Sequence, residues 1–144
     1  MNDKSFILKE ICKTVQKART ENPLSPSITN DVTVNFVVNA QLAAGGSGVV
    51  VYLADEGEKI ASMCKSAYIN LGTMKECYAQ TIPRTCSAFR KTENKWVFDP
   101  VGLGIGSLRT ELFKMMKDFK PAVIRGNASE IIGIIKNIIN ISFI

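Results

Sequence analysis

The chain has 144 residues, a hydrophobic share of 46%, a charged share of 22% and a formal net charge of +5, values ordinary for a soluble globular protein with one core. It contains no histidine, which excludes a Ser-His-Asp or Cys-His arrangement within it. The four cysteines, Cys12, Cys64, Cys77 and Cys86, form no Cys-x-x-Cys pair, so zinc lacks its usual ligands.

The first segment, residues 5–19, carries apolar Phe6, Ile7, Ile11, Cys12 and Val15 at helical spacing, with lysines opposite. Lys9, Lys13 and Lys17 recur every four residues on that helix. No aromatic residue interleaves with them and no DNA-binding motif is present, so they read as a solvated face and no nucleic-acid partner is expected. The charged, amphipathic start is not a signal peptide and no apolar run is long enough to cross a bilayer. The expectation is a cytoplasmic protein without a membrane partner, its cysteines reduced and serving as small apolar side chains.

Asn22 to Ser27 contains Pro23 and Pro26, which predicts an extended loop. Thr29 reads as the cap of a helix running to about Ala44 and ended by Gly45-Gly46. Residues 48–53 read as a buried strand. Asp55 and Glu58 have the spacing of a capping box, which predicts a helix to about Lys65. Residues 67–71 are a second strand, ending at Gly72-Thr73. Residues 74–92 have a helical pattern that Pro83 should kink or split. Residues 96–99 form a third strand, stopped by Pro100. A helix follows over 107–119, then a strand over 122–125. Asn127-Ala128-Ser129-Glu130 opens the last helix.

Strands alternating with helices predict an α/β domain: a mainly parallel sheet joined by right-handed crossovers, with helices on its faces. Ligands then bind beyond the carboxyl ends of the strands. Three segments carry chemistry there. The first, from Asp99 through Gly102, Gly104 and Gly106 to Ser107, is glycine-rich and opens a helix. It suits an anion, though it matches neither the Rossmann nor the Walker pattern, and a simple glycine-rich connection accounts for it equally well. The second is Arg125-Gly126-Asn127-Ala128-Ser129-Glu130, where the arginine can neutralise phosphate. Glu130 can either cap its helix or help Asp99 hold Mg²⁺ through water. The third is the polar run from Ser27 to Phe36; capping explains Thr29 but not Asn30, Asn35 and Asn39 along one helix, which suggests a small-molecule pocket.

Together the motifs resemble those of the hydroxyethylthiazole kinase family. Ile28 to Phe36 match Ile-Thr-Asn-x-Val-Thr-x-Asn-Phe, and Gly45-Gly46-Ser47 match Gly-x-Ser before the first strand. Asn70-Leu71-Gly72-Thr73, Asp99-Pro100-Val101-Gly102 with Arg109-Thr110, and the stretch from Ile124 to Ile131 match the rest in the correct order. The resemblance implies a ribokinase-like three-layer α/β/α fold. It implies phosphoryl transfer from ATP to the hydroxyl of 4-methyl-5-(2-hydroxyethyl)thiazole in thiamine salvage, with Mg²⁺, in a homotrimer whose thiazole pockets lie between subunits. It puts Arg125 and Asn127 on ATP, and Asp99 and Glu130 near Mg²⁺. Asn30, Val32, Val50, Gly72 and Thr73 would line the thiazole pocket.

Two positions depart from the family pattern: Pro26 stands where histidine is usual, and Val50 where methionine is usual. Family members also continue beyond the length of this chain, through a nucleotide-binding threonine and a Gly-x-Gly-Cys turn whose cysteine acts at the substrate hydroxyl. None of the four cysteines here lies in such a turn. The expectation is a single truncated domain over 1–144 with no catalytic residue of its own. A separate C-terminal half is a possible partner. The alternative is a non-catalytic fragment or an oligomer- or ligand-binding module. The isoleucine-rich tail, with Ile131, Ile132, Ile134, Ile135, Ile138, Ile139 and Ile141, supports a break in the domain.

Overall fold

Trp96 and Phe98 point to one side of their strand and Val97 and Asp99 to the other, and this period of two sets up the whole molecule. The computed structural model describes residues 3–141, leaving aside the side chains of residue 117 and of residues 137–141. Five strands are present among them: β1 Leu24–Ile28, β2 Ser47–Val50, β3 Ser66–Asn70, β4 Lys95–Asp99 and β5 Val123–Ile124. The helices are α1 Lys4–Glu21, α2 Val34–Ala44, α3 Ala54–Ala61, α4 Tyr78–Lys91, α5 Ser107–Phe119 and α6 Ala128–Ile141. The sheet order is β2-β1-β3-β4-β5, and every pairing is parallel. The expected α/β architecture is therefore present, with the four expected strands and one more.

The core lies between one sheet face and α3, α4 and α5. Ile28, Ala67, Ile69, Trp96 and Phe98 meet Ala61, Ile82, Cys86, Phe89, Leu112, Phe113 and Met116, all buried. Trp96 meets Phe98 edge-on at 5.9 Å between ring centroids, and Phe98 stacks on Phe113 at 6.3 Å. The other face carries Ser27, Tyr68, Asn70 and Asp99, and α2 lies over part of it. Gln41 Nε2 donates to Ser27 Oγ at 2.8 Å, which ties α2 to β1.

Several local expectations are corrected. The proline-containing stretch is not a loop but β1, an interior strand. Pro26 is tolerated because the ladder to β3 begins only at Ser27, so no donor is missed on that side. Thr29 does not cap α2. It is buried, and its carbonyl accepts the Tyr78 hydroxyl at 2.7 Å, while α2 begins at Val34 behind Thr33. Asp55 and Glu58 form no capping box: Leu53 holds the cap position, and Glu58 instead accepts two bonds from Arg84, at 2.9 and 2.5 Å. The third helix stops at Ala61. Pro83 does not split α4, which starts at Tyr78 and continues through it to Lys91. A mid-helix proline costs about 3 kcal/mol. Here the helix is held by its buried face, which includes Ile82, Cys86 and Phe89.

In α6, Ile134 is buried while Ile131, Ile132 and Ile135 are exposed. The side chains of Ile138, Ile139 and Ile141 lie outside the described residues.

Candidate functional site

The order β2-β1-β3 means that the chain leaves β1 to one side and returns to its other side as β3. That reversal opens a crevice beyond the carboxyl ends of β1 and β3, where parallel sheets take ligands. Asn30 follows β1, Asn70 ends β3, Asp99 ends β4 and Arg125 follows β5. Strand register brings these residues side by side, since Asn70 is the direct partner of Asp99.

One hydrogen-bond network joins them. Asp99 is wholly buried, and its Oδ2 accepts from the Tyr68 hydroxyl at 2.7 Å, from Asn70 Nδ2 at 2.9 Å and from Arg125 Nη1. Asp99 Oδ1 has no hydrogen-bond partner among the described residues. Asn70 Oδ1 accepts from the Gly72 N–H at 2.8 Å and from Asn30 Nδ2 at 3.2 Å. Asn30 Oδ1 accepts from the Thr33 N–H at 3.0 Å and from its hydroxyl at 3.1 Å, which fixes the turn into α2. Gly72 is required by this packing: a Cβ there would lie 2.8 Å from Asn70 Oδ1 and 3.0 Å from Asn30 Nδ2. Burial, reinforced by the hydrogen bond to Asp99, pushes the Tyr68 phenol up to about 12. The Asp99 carboxylate raises the Arg125 guanidinium further above its ordinary value.

The network floors a cleft of about 650 Å³. One wall is apolar, from Phe36, Val37, Ala40 and Ala44 of α2; the floor is Asn30, Tyr68, Asn70 and Asp99, with Arg125 at its rim. An apolar wall facing a few convergent polar groups suits a small amphipathic molecule.

Of the residues singled out in the sequence, Asn30, Gly72, Asp99 and Arg125 come together here. Val32 lies outside the cleft lining and is 84% exposed. Val50 lines a separate hollow of about 370 Å³ with Glu56, Ile60 and Met63. Thr73 has a φ of 38°, an uncommon left-handed conformation for a β-branched residue, and sits just beyond Gly72. Two residues on, Lys75 pairs with Asp31 at 2.6 Å, joining the loops that follow β3 and β1.

Asn127 and Glu130 cap α6 reciprocally. Glu130 Oε2 accepts from the Asn127 N–H at 2.8 Å, and Asn127 Oδ1 accepts from the Glu130 N–H at 3.0 Å. In the loop over 102–106, Gly102, Gly104 and Gly106 all have positive φ. Arg109 Nε donates to the Leu71 carbonyl at 2.9 Å and Nη1 to the Ile105 carbonyl at 3.1 Å, which ties that loop to the end of β3.

No group of three or more aspartate, glutamate or cysteine residues that could hold a metal ion is present among the described residues. A hard cation that keeps most of its water and takes further oxygens from phosphate still fits, because Asp99 Oδ1 is a buried carboxylate oxygen without a partner among the described residues. An all-protein cage does not fit.

Sequence reasoning missed Tyr68 as a site residue and took Asn70 only as part of a motif. The signal was available. Residues 68, 70, 97 and 99 share one face by the period of two, and Tyr68, Asn70 and Asp99 are the polar side chains that this face carries toward the carboxyl ends of β3 and β4.

Residues 15–142 match the model of the hydroxyethylthiazole kinase family. A curated hydroxyethylthiazole kinase of Bifidobacterium animalis subsp. lactis is 43% identical over 86% of this chain and 41% of its own length. One from Leptospira interrogans is 39% identical over 88% of this chain and 48% of its own. The chain thus spans less than half the length of these two relatives. A solved hydroxyethylthiazole kinase from Pyrococcus horikoshii OT3 superposes with a TM-score of 0.84 at 27% identity, covering 93% of this chain and 53% of that one. The five-stranded parallel sheet with helices on both faces is accordingly the ribokinase-like arrangement. With the family motifs, the fold and the relatives in agreement, this chain belongs to the hydroxyethylthiazole kinase family.

Proposed function

We propose that this chain forms the N-terminal part of a kinase that transfers the γ-phosphoryl group of ATP to the hydroxyl of 4-methyl-5-(2-hydroxyethyl)thiazole, in thiamine salvage and in the cytoplasm. The observation that carries this reading is the side-chain bridge through Asn70, which links Asn30 and Gly72 on one side to Asp99 and Arg125 on the other. An acceptor seated over Asn30, Gly72 and Thr73 is thereby held in fixed relation to the groups that meet phosphate. Phosphoryl transfer depends on such positioning and on charge neutralisation.

In this reading Arg125 exchanges its bond to Asp99 for a phosphate oxygen, with Asn127 beside it. Asp99, through Oδ1, and Glu130, through water, would hold the cation. Mg²⁺, when bound, supplies neutralisation of the phosphate charge. Val32, Val50 and Phe36 are assigned to a face shared with another copy in a homotrimer. Val32 and Phe36, 84% and 78% exposed, support that assignment because large apolar side chains so placed call for a partner. Residues 1–144 act as one domain, and the group that works on the acceptor hydroxyl comes from the part of the family fold that this chain does not span, in the same polypeptide or as a separate half.

The test is an ATP- and thiazole-dependent phosphorylation assay of the chain alone, of the chain mixed with the C-terminal half of a family member, and of a full-length member. Turnover restored by mixing supports the reading. Absence of turnover in the mixture, with no binding of either substrate to the chain, favours instead a non-catalytic oligomer-forming module.

A further inference from the structure

Among the described residues, three donors converge on one oxygen of Asp99 and none on the other. Two of the three, Tyr68 and Asn70, come from β3, an interior strand, and the Tyr68 hydroxyl also accepts from Asn70 Nδ2 at 3.0 Å. The third is Arg125, whose side chain is 67% exposed. An exposed cation at the rim of a cleft is the partner that a ligand can draw away; a half-buried phenol in the floor is not. Asn70 is also committed through Oδ1 to Gly72 and Asn30. The Tyr68 hydroxyl is engaged within this cluster, with Asp99 and Asn70 and beside the Arg125 guanidinium.

We propose that Tyr68 is a positioning residue: its phenol pins Asp99 Oδ2 from the sheet side, so that Oδ1 is the oxygen Asp99 presents to a divalent cation in the cleft. This rests on the reading of Asp99 given above. When Arg125 turns to an anionic ligand, Oδ2 loses one donor, and the carboxylate keeps its rotamer because Tyr68 and Asn70 still hold it. Asp99 Oδ1 would then be the protein oxygen that holds the cation, a carboxylate oxygen of the kind hard cations prefer.

The experiment is Mn²⁺ binding to the full chain, followed by the resonance of free Mn²⁺, for the wild-type protein, Asp99→Asn and Tyr68→Phe. The tyrosine absorption difference spectrum is recorded on each addition. The expected result is binding that Asp99→Asn abolishes and Tyr68→Phe weakens about tenfold, the scale of one hydrogen bond to a charged group. A tyrosine perturbation is expected in the wild type and not in Asp99→Asn, and this readout stands even if Tyr68→Phe does not fold. Binding that Asp99→Asn abolishes, with Tyr68→Phe within twofold of wild type or with no tyrosine perturbation, overturns the role of Tyr68 and leaves the reading of Asp99 intact. Equal binding by wild type and Asp99→Asn, or none by either, overturns both.

Discussion

Asn70 and Asp99, direct partners in the parallel register of β3 and β4, are joined a second time through their side chains, Nδ2 to Oδ2 at 2.9 Å. Backbone pairing therefore places the two groups, and the side-chain bond orients them. Asn70→Ala removes a donor from Asp99 and leaves the Gly72 N–H and the Asn30 amide without their acceptor. The expected loss of stability is about 2–3 kcal/mol, since a buried polar group left unpaired costs about 1–3 kcal/mol. Urea unfolding of wild type and variant measures it. A loss under about 0.5 kcal/mol would show that water replaces the bridge at no cost.

Gly57 packs α3 against α4. A Cβ built there would lie 1.9 Å from Thr85 Oγ1. Gly57→Ala gains about 1 kcal/mol of helix propensity but forces apart two closely packed helices, at about 1–3 kcal/mol. The clash should win, and the variant should be less stable. Adding Thr85→Ala should recover part of the loss, because it removes the clashing hydroxyl. Thermal unfolding of the two single variants and the double variant checks this, with non-additivity as the signature.

The four cysteines should separate into two classes. Cys12 and Cys77 are exposed, whereas Cys64 and Cys86 are buried. Burial pushes both the Cys64 and Cys86 thiols up, Cys86 far more strongly. The attacking species is the thiolate, so at pH 8 the buried pair should remain unreacted in the folded protein. Labelling with a thiol reagent should give two fast equivalents in buffer and four in denaturant. Rapid reaction of a third in buffer would place Cys64 outside the core.

The 144-residue chain alone should phosphorylate hydroxyethylthiazole no faster than background. It spans less than half of relatives such as those from Bifidobacterium and Leptospira, and losing part of an aligned set of reacting groups is costly. Turnover comparable to a full-length family member would locate the missing acid–base group within these residues.

Much of this was legible in the sequence because parallel α/β folds announce themselves through alternation. The strand over 96–99 and the helix over 107–119 lie almost residue for residue where the pattern puts them. β1 was hidden by Pro23 and Pro26, since local propensity says nothing about which side of a strand needs donors. Thr29 and Asp55 were misread for a related reason: a capping pattern is local, while the buried Tyr78–Thr29 bond and the Glu58–Arg84 pair are made across the fold. At the site, motifs found Asp99 and Arg125. The role of Tyr68 depends on the register of β3 against β4, which no single strand reveals.

The short ladder that Pro26 imposes has a consequence for hydrogen exchange. β1 pairs with β2 over four residues but with β3 over two, Ser27 with Tyr68 and Ile28 with Ile69. This seam ends directly beneath Asn30 and Asn70, whose side chains stitch its two banks together. A ligand spanning the cleft grips both banks at once, so its arrival would register first as slowed amide exchange along β1 and β3, ahead of any change in the α3–α5 core.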